Sequence, residues 1–302
     1  PNLFDALRLK KEIKNYFADI KNFKKVKEIF TKEKPEIIFH LAAQALVRQS
    51  YADPLHTIFS NTVGTSNVLE AVRQTDTIRS AVIITTDKVY KNNEKKRHFK
   101  ESDSLGGHDP YSASKAAADI IASSYLKSFN LPVAIARAGN VIGGGDWSTD
   151  RLVPDIVRAF FEGKELIIRY PLAVRPWQHV LEPLNGYLML AKFLYDGKKS
   201  AIGEWNFGPS YKSEVSVQNF LDIAEDILPG IKYGVTKINS KHEAVNLKLD
   251  SSKAKNILGW SPKIQLLETV KSTLLWYKKF YENPNEITKF TEEQIRKIYD
   301  KS

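Results

Sequence analysis

Cysteine is absent from the 302 residues of this sequence. Its absence excludes disulfides, zinc sites built on thiolates and cysteine nucleophiles, and it suits the reducing cytoplasm. The sequence also lacks any apolar run approaching the roughly 18 residues that indicate a membrane helix, and we find no signal peptide. We therefore predict a cytoplasmic globular protein that does not act at a membrane.

The charge of the sequence is strongly positive, with a formal net charge of +10 at pH 7. A basic surface attracts anions, so nucleic acid has to be considered as a partner. The lysines, however, are mixed with acids, as in Lys24-Lys25-Val26-Lys27-Glu28, and no RNA-binding signature, zinc finger or arginine-rich arm is present. We predict no nucleic-acid partner and no metal site. The basic surface favours an anionic substrate such as a nucleotide.

The first half of the sequence alternates between helical and strand patterns. Asp53-Pro54 and Asp109-Pro110 each place a capping acid before a proline, which is a typical helix start. The predicted elements are a helix at 22–33, a strand at 36–41, a helix at 53–74, a strand at 79–85, a helix at 109–129 and a strand at 132–137. Helices between short apolar strands predict the α/β class with a doubly wound, Rossmann-like parallel sheet.

After Gly143 the sequence has more glycine and proline, and its elements become shorter. We predict helices near 152–162, 182–195, 216–228, 251–258 and 266–281, a last short helix starting near Thr291, and strands near 166–169 and 204–207. This pattern indicates a smaller, mixed α/β, substrate-binding lobe over residues 151–302. We expect it to be partly interleaved with the sheet domain of residues 1–150.

The stretch Ile84-Thr85-Thr86-Asp87-Lys88 begins as a buried strand and then becomes polar. In open parallel sheets, ligands bind at the carboxyl ends of the strands, so a hydroxyl, an acid and an amine at this point indicate a site. The alternative is that the strand has simply reached water, where polar residues are common.

Tyr111 and Lys115 are spaced i and i+4 on the predicted helix 109–129, so both side chains project from one face. An ammonium near a phenol lowers the phenol pKa from about 10 toward neutrality, which would let the tyrosine act as a base. Such pairs are also common on exposed helices, where they have no chemical role.

Thr86 at a strand end, followed about 25 residues later by Tyr111-x-x-x-Lys115, resembles the extended short-chain dehydrogenase/reductase family. Three further segments resemble that family. Asp19-Ile20 resembles its adenine-contacting pair, 39–44 resembles its strand-to-loop segment beside the cofactor, and 61–65 resembles its mid-helix segment. The resemblance implies NAD as cofactor. The residues it assigns to NAD are Asp19, Ile20, His40, Ala42, Ala43, Gln44, Asn61, Tyr111 and Lys115.

Within that family, Thr86-Asp87-Lys88 resembles the nucleotide-sugar 4,6-dehydratases of the CDP-glucose type. The segments 137–147, 150–154, 175–183 and 242–244, the last being His242-Glu243-Ala244, resemble the same type. The implied reaction converts CDP-glucose to CDP-4-keto-6-deoxyglucose and water.

The resemblance also implies roles for the catalytic residues. Tyr111 is the base at carbon 4, supported by Lys115, and Thr86 hydrogen-bonds the carbon 4 oxygen. Asp87 is the acid and Lys88 the base of the elimination across carbons 5 and 6. An ion pair between Asp87 and Lys88 is the alternative interpretation, and it would hold both groups in the wrong protonation state.

For the substrate, the resemblance assigns Arg175 to the diphosphate, where a forked guanidinium can hold phosphate oxygens. Asn140, Leu152 and Arg169 are candidates for the nucleotide and sugar pocket. His179 is either a substrate contact or a buried structural histidine. The run Gly143-Gly144-Gly145 does not open a helix, so we interpret it as a flexible loop over the substrate and not as a phosphate cradle.

The sequence departs from the family at its beginning. It starts at Pro1 without the Gly-x-x-Gly-x-x-Gly turn and the first two strands, so we expect that it is a fragment or that its N-terminus was removed. The resemblance further implies a homodimer formed through helices 53–74 and 109–129, and a role in deoxysugar biosynthesis such as that of lipopolysaccharide O-antigen. Two alternatives stay open: another nucleotide-sugar dehydratase or 4-epimerase, and a non-catalytic nucleotide-binding module.

Overall fold

The protein is described by a computed structural model that covers residues 1–92, 97–236 and 247–299. The strands are β1 Ile37–His40, β2 Ser80–Ile84, β3 Val133–Ala138, β4 Val141–Ile142, β5 Leu166–Ile168, β6 Val174–Pro176, β7 Gln178–His179, β8 Gly203–Phe207, β9 Glu214–Ser216 and β10 Tyr233–Val235. The helices are α1 Leu3–Ala6, α2 Phe23–Glu33, α3 Val47–Ala52, α4 Pro54–Ile58, α5 Gly64–Arg73, α6 Pro110–Phe129, α7 Leu152–Glu162, α8 Leu181–Tyr195, α9 Val217–Ile227, α10 Leu266–Glu282 and α11 Ile287–Tyr299.

The main sheet has the strand order β1-β2-β3-β8, and all its pairings are parallel. β3 is buried along its whole length, as expected for a parallel strand that is covered on both faces. Helices α2, α5 and α6 pack on one face of the sheet, and α8 packs on the other. The prediction of a doubly wound α/β sheet is confirmed.

The second half of the chain forms a separate apolar core from α7, α9 and α10. Small two-stranded pairings surround this core: β5 with β10 and β4 with β7 are parallel, and β6 with β9 is antiparallel. β8 also comes from the second half, yet it pairs with β3 in the main sheet. The arrangement is therefore mixed, and it is interleaved with the first half.

The predicted helix starts are confirmed by their caps. The carboxylate of Asp53 accepts a hydrogen bond from the backbone N–H of His56, and that of Asp109 accepts one from the backbone N–H of Ser112. In each case the following proline occupies the first turn, where its missing N–H costs nothing. The cap at Asp109 fixes where α6 begins, and so it places Tyr111 in the first turn.

The helix expected at 53–74 is helical without a break over 54–73, and it contains a π-helical turn, Phe59–Val63, between α4 and α5. Other predictions differ from the structure in detail. The helix expected at 251–258 is mostly a second π-helical turn, Ala254–Leu258. The last helix begins at Ile287, since a 3₁₀ turn at Pro284–Glu286 leads directly into it. The short helices α1 and α3 and the strands β4, β6, β7, β9 and β10 were missed because such short segments carry no periodicity.

Candidate active site

A cavity of about 1110 Å³ opens at the carboxyl ends of β2 and β3. This size suits a ligand as large as a nucleotide-sugar. Four of the predicted catalytic residues line it: Thr86, Asp87, Lys88 and Tyr111. The structure therefore brings together side chains that two separate elements supply, the end of β2 and the start of α6.

The polar stretch after β2 forms a tight capped turn. Thr86 has an extended backbone, and its hydroxyl accepts a hydrogen bond from the backbone N–H of Lys88 at the start of a 3₁₀ turn, Asp87–Val89. The same hydroxyl donates to Oδ1 of Asp87 at 2.9 Å. Thr86 and Asp87 are both buried. The strand has therefore not simply reached water, because its polar end points into the protein and toward the cavity.

Lys115 lies one helical turn beyond Tyr111 on α6, but it is not among the residues that line the cavity. Its ammonium is buried and donates a hydrogen bond of 2.8 Å to the backbone oxygen of Ile84, the last residue of β2. Lys115 thus sits behind the cavity wall and links α6 to the strand that carries Thr86.

The expected effect of Lys115 on Tyr111 is not seen. Burial raises the pKa of Tyr111 to about 12, although the hydroxyl of Thr86, which hydrogen-bonds the Tyr111 oxygen, acts in the opposite direction. Burial likewise lowers the pKa of Lys115 to about 8, against the charge of Asp119. The prediction of a depressed phenol pKa is wrong for this structure because removal from water disfavours the charged form of both groups.

Asp87 has the property that a general acid needs. Its side chain is 1% exposed, and burial raises the pKa of its carboxyl group against the opposing charges of Lys88 and Arg175. Its oxygens accept hydrogen bonds from Thr86 and Asn140. In the part of the chain that the structure describes, Lys88 forms no direct ion pair with it. The ion-pair alternative is therefore not what the structure shows.

The predicted substrate residues do not all reach the cavity. Asn140, Leu152, Arg169 and Arg175 line it. His179 does not: it is buried in β7, its ring accepts a hydrogen bond from the backbone N–H of Leu181, and burial lowers its pKa to about 4. The assignment of His179 to the substrate is corrected. It is a buried histidine of the small β4–β7 sheet, in which it is paired with Ile142.

Three of the residues predicted to bind the cofactor, Ala42, Ala43 and Gln44, follow the carboxyl end of β1. Gln44 and Asn61 are hydrogen-bonded, since the backbone N–H of Gln44 donates to the amide oxygen of Asn61 at 2.8 Å. Asn61 also donates to the hydroxyl of Ser114 on α6. Ala42 and Ala43 form the loop before Gln44, and Ala42 is exposed. The π-helical turn at Phe59–Val63 carries Asn61, and π turns are frequent at functional sites.

His40 is buried, and its ring pairs with the hydroxyl of Thr65 at 2.9 Å. Burial, with a contribution from the charge of Lys115, lowers the pKa of His40 to about 4, so its ring is neutral at pH 7. Asp19 is exposed and Ile20 is half-buried. The side chain of Asn67 on α5 holds this pair in place by donating to the backbone oxygen of Ile20.

Some residues at the site were missed by the sequence analysis. Arg48 and Asp150 line the cavity, and a guanidinium N–H of Arg48 donates to the Asp150 carboxylate at 2.8 Å. Arg169 bonds the same carboxylate oxygen. Gly139 also lines the cavity beside Asp87. Gly139 and Asp150 belong to the segments 137–147 and 150–154, which resemble the family, but the resemblance assigned them no role. Nothing in the sequence distinguished Arg48 from a surface arginine.

The glycine run 143–145 packs more tightly than we predicted. Only Gly143 lines the cavity. A Cβ at Gly144 would meet the ring of Trp276, and one at Gly145 would meet Leu3. These glycines let the loop approach its neighbours closely. The segment His242-Glu243-Ala244 lies outside the described residues.

Among the described residues, no helix is both long and apolar enough to cross a membrane. No group of His, Cys, Asp and Glu side chains in the same ranges is arranged to hold a metal ion.

Comparisons with known proteins agree with this geometry. The family model described as GDP-mannose 4,6 dehydratase matches residues 2–273. The CDP-glucose 4,6-dehydratase of Salmonella typhimurium is 43% identical over 289 residues, which cover 92% of this chain and 80% of the relative. The crystal structure of dTDP-glucose 4,6-dehydratase from Bacillus anthracis in complex with NAD has a TM-score of 0.72 at 25% identity, covering 89% of this chain and 81% of the other.

A UDP-glucuronic acid 4-epimerase structure from Bacillus cereus shares the fold, with a TM-score of 0.80 at 22% identity over 92% of this chain and 85% of the other. Together with the parallel sheet, these matches define an extended short-chain dehydrogenase/reductase. Within that class, the chain belongs to the family of nucleotide-sugar 4,6-dehydratases.

Proposed function

We propose that this protein converts CDP-glucose to CDP-4-keto-6-deoxyglucose and water, using NAD as a cofactor that is restored in each turnover. The reaction oxidises carbon 4, eliminates water across carbons 5 and 6, and returns the hydride to carbon 6. The observation that carries the proposal is the convergence of Thr86, Asp87, Lys88 and Tyr111 on one cavity. The preference for CDP is supported by the Salmonella relative, which carries that name.

The residues present fit NAD. The loop from Leu41 to Leu46 emerges at the carboxyl edge of the parallel sheet, which is where dinucleotides bind in this fold. Lys115 offers a buried ammonium next to that edge, at the backbone oxygen of Ile84. We assign Asp19, Ile20, His40, Ala42, Ala43, Gln44, Asn61, Tyr111 and Lys115 to the cofactor region. When bound, NAD accepts the hydride of carbon 4 and later supplies the one that carbon 6 receives.

In the oxidation step, Tyr111 takes the proton of the carbon 4 hydroxyl. Thr86 lines the same cavity, and we assign its hydroxyl to hold the carbon 4 oxygen in place. Because burial raises the pKa of Tyr111 to about 12, the tyrosine needs positive charge beside it before it can act as a base. The family resemblance assigns this role to Lys115, one turn away on α6, whereas the positive charge that lowers the Tyr111 pKa in the structure is that of Arg151.

In the elimination step, the carbon 4 ketone makes the proton on carbon 5 acidic. We assign Lys88 as the base that removes this proton and Asp87 as the acid that protonates the departing carbon 6 hydroxyl. The raised pKa of Asp87 supports its assignment, because burial favours the protonated form of the carboxyl group, which is the form that can donate. Arg175 is assigned to the diphosphate, and Asn140, Leu152 and Arg169 to the nucleotide and sugar.

The halves 1–150 and 151–302 are proposed as the cofactor and substrate domains.

The activity is tested on the full-length protein with added NAD and CDP-, dTDP- or UDP-glucose, by following the alkali-stabilised absorbance of a 4-keto-6-deoxy sugar. We expect product with CDP-glucose and at most weak product with the other two. Tyr111→Phe keeps the ring but loses the proton acceptor, so its rate should fall at least ~100-fold. An epimerised sugar without keto product would indicate the 4-epimerase alternative, and binding without turnover the non-catalytic module.

We also propose that the protein is a homodimer formed through α4, the π-helical turn and α6, which pack together. Leu55, Phe59 and Ile120 on these elements are large apolar residues that are 64%, 49% and 55% exposed. Burial of such residues against a second copy would stabilise the pair. We expect twice the chain mass by sedimentation equilibrium, and the mass of one chain for Phe59→Lys with Ile120→Glu. Leu267→Lys, at an exposed leucine on α10, is the control and should leave the mass unchanged.

The location in the cytoplasm and the independence from membranes and nucleic acid stay predictions. The same is true of the role in deoxysugar biosynthesis for the lipopolysaccharide O-antigen. The absence of cysteine from the sequence agrees with a location in the cytoplasm. A nucleotide-sugar as substrate agrees with a role in deoxysugar biosynthesis.

A further inference from the structure

Gly139 follows β3 directly, and its backbone does not require glycine. Its φ angle is not in the left-handed region, in contrast to six other glycines of the described chain. A Cβ built on Gly139 would lie 1.9 Å from Oδ2, 2.0 Å from Cγ and 2.4 Å from Oδ1 of Asp87. The reason for glycine at this position is therefore the carboxylate of Asp87, which fills the space that any side chain would occupy.

The Asp87 carboxylate is not free to move aside. Its backbone starts the 3₁₀ turn Asp87–Val89, and the side chain of Val89 is fully buried. Hydrogen bonds hold both carboxylate oxygens, one from the hydroxyl of Thr86 at 2.9 Å and one from the amide of Asn140 at 3.2 Å. A displaced carboxylate would lose these bonds inside a buried site, which is costly.

The Gly139 backbone is held from the other side by Gln178 on β7. The amide of Gln178 donates to the backbone oxygen of Gly139 at 3.0 Å and to that of Phe207 at 2.9 Å. The backbone N–H of Gln178 also donates to the oxygen of Asn140. Gln178 is 2% exposed. Since Gln178 bridges the ends of β3 and β8, the Gly139 backbone cannot withdraw without breaking several buried hydrogen bonds.

We propose that Gly139 and Gln178 are positioning residues for the Asp87 carboxylate. Because Gly139 has no side chain, the Asp87 carboxylate can occupy the space beside it. Gln178 fixes the distance between the Gly139 backbone and this carboxylate through its hydrogen bond to the Gly139 oxygen. The inference rests on the proposed role of Asp87 as the acid of the elimination. A misplacement of about 1 Å at a reacting group can cost roughly 100-fold in rate, so the space left by Gly139 bears directly on the chemistry.

The test is the variant Gly139→Ala, assayed in a single turnover with CDP-glucose and NAD. We expect oxidation at carbon 4 to continue, seen as absorbance of the reduced nicotinamide, while 4-keto-6-deoxy product forms ~100-fold more slowly. Gln178→Met should show the same imbalance to a smaller extent. Equal losses in both steps would mean that these residues serve only the fold, and wild-type product formation by Gly139→Ala would overturn the proposal.

A second measurement is independent of activity. The melting temperature is compared for the wild type, Gly139→Ala, Asp87→Ala and the double variant. The added methyl group should lower the melting temperature in the presence of Asp87 and have little effect in the Asp87→Ala background, where no carboxylate stands in its way. An equal drop in both backgrounds would contradict the proposal. If the wild type forms no product, the proposed function fails, but this cycle still tests the contact between Gly139 and Asp87.

Discussion

Replacing Asp87 with Asn is expected to stop the reaction after the sugar has been oxidised. The amide has the shape of the carboxyl group but cannot supply a carboxylic proton to the carbon 6 hydroxyl. Loss of a positioned acid typically costs about 10²–10⁴-fold in rate, and here the loss should fall on the elimination alone. Tyr111, Thr86 and Lys115 are unchanged, so oxidation at carbon 4 should continue.

Lys88→Ala should block the same step by removing the base at carbon 5. The measurement for both variants is a single turnover in which oxidised sugar and dehydrated product are quantified separately. Lys192→Ala, at an exposed ion pair with Asp196 on α8, is the control and should behave as the wild type. Formation of product at the normal rate by either Asp87→Asn or Lys88→Ala would refute the role assigned to that residue.

Breaking the ion pair between Asp119 and Arg137 is expected to cause a large loss of stability. Arg137 on β3 donates two hydrogen bonds, of 2.8 and 2.7 Å, to the two carboxylate oxygens of Asp119 on α6. Both side chains are buried, at 2% and 0% exposed. Although burial opposes it, the Asp119 carboxylate raises the pKa of Arg137 above its ordinary value. Arg137→Met should lower the free energy of unfolding by about 3–5 kcal/mol, because the carboxylate is left buried without its partner.

The measurement is urea unfolding at pH 7, with two controls. The double variant Asp119→Leu with Arg137→Met removes both charges, and it should recover much of the loss because apolar replacement of a buried pair is often nearly neutral. Lys192→Ala, which breaks an exposed pair, should change stability by no more than about 0.5 kcal/mol. A loss for Arg137→Met as small as that of Lys192→Ala would show that the pair contributes little.

This pair also lies beneath the site. The carboxylate of Asp119 accepts a hydrogen bond of 2.9 Å from the hydroxyl of Thr85, the neighbour of Thr86. Burial lowers the pKa of Lys115, and the charge of Asp119 offsets part of this effect. Arg137 extends the contact to the hydroxyl of Tyr90 at 2.8 Å. The end of β2 and the first half of α6 are therefore connected by buried polar contacts. These contacts help to fix the position of Thr86 relative to Lys115.

The elements of the main sheet were predictable because their signals are local. The apolar run before Thr85 is long enough for one buried strand, and Asp109-Pro110 is a capping signal that depends only on neighbouring residues. The π-helical turn within helix 53–74 was not predictable. Asn61, which lies in the π-helical turn, contacts Gln44 and Ser114, residues on a loop and on another helix.

The site could be predicted in part. The resemblance to a known family identified five catalytic candidates from the sequence. The structure brings Thr86, Asp87, Lys88 and Tyr111 to one cavity, and it places Lys115 behind the cavity wall. The pKa of Tyr111 was predicted in the wrong direction. Sequence spacing places an ammonium near a phenol, but it does not show how much water both groups lose, and here burial has the larger effect.

By itself, the sequence determined the α/β class, the order of the sheet strands in the chain, the start of α6 and the identity of the chemical groups. Those properties follow from hydrophobic periodicity, capping and residue type, all of which act between near neighbours in the chain. Only the tertiary structure decided that His179 lies outside the lining of the cavity, that Asp119 pairs with Arg137, and that Gly139 leaves room for Asp87. These outcomes depend on packing and desolvation between residues far apart in sequence, and such distances exist only once the chain has folded.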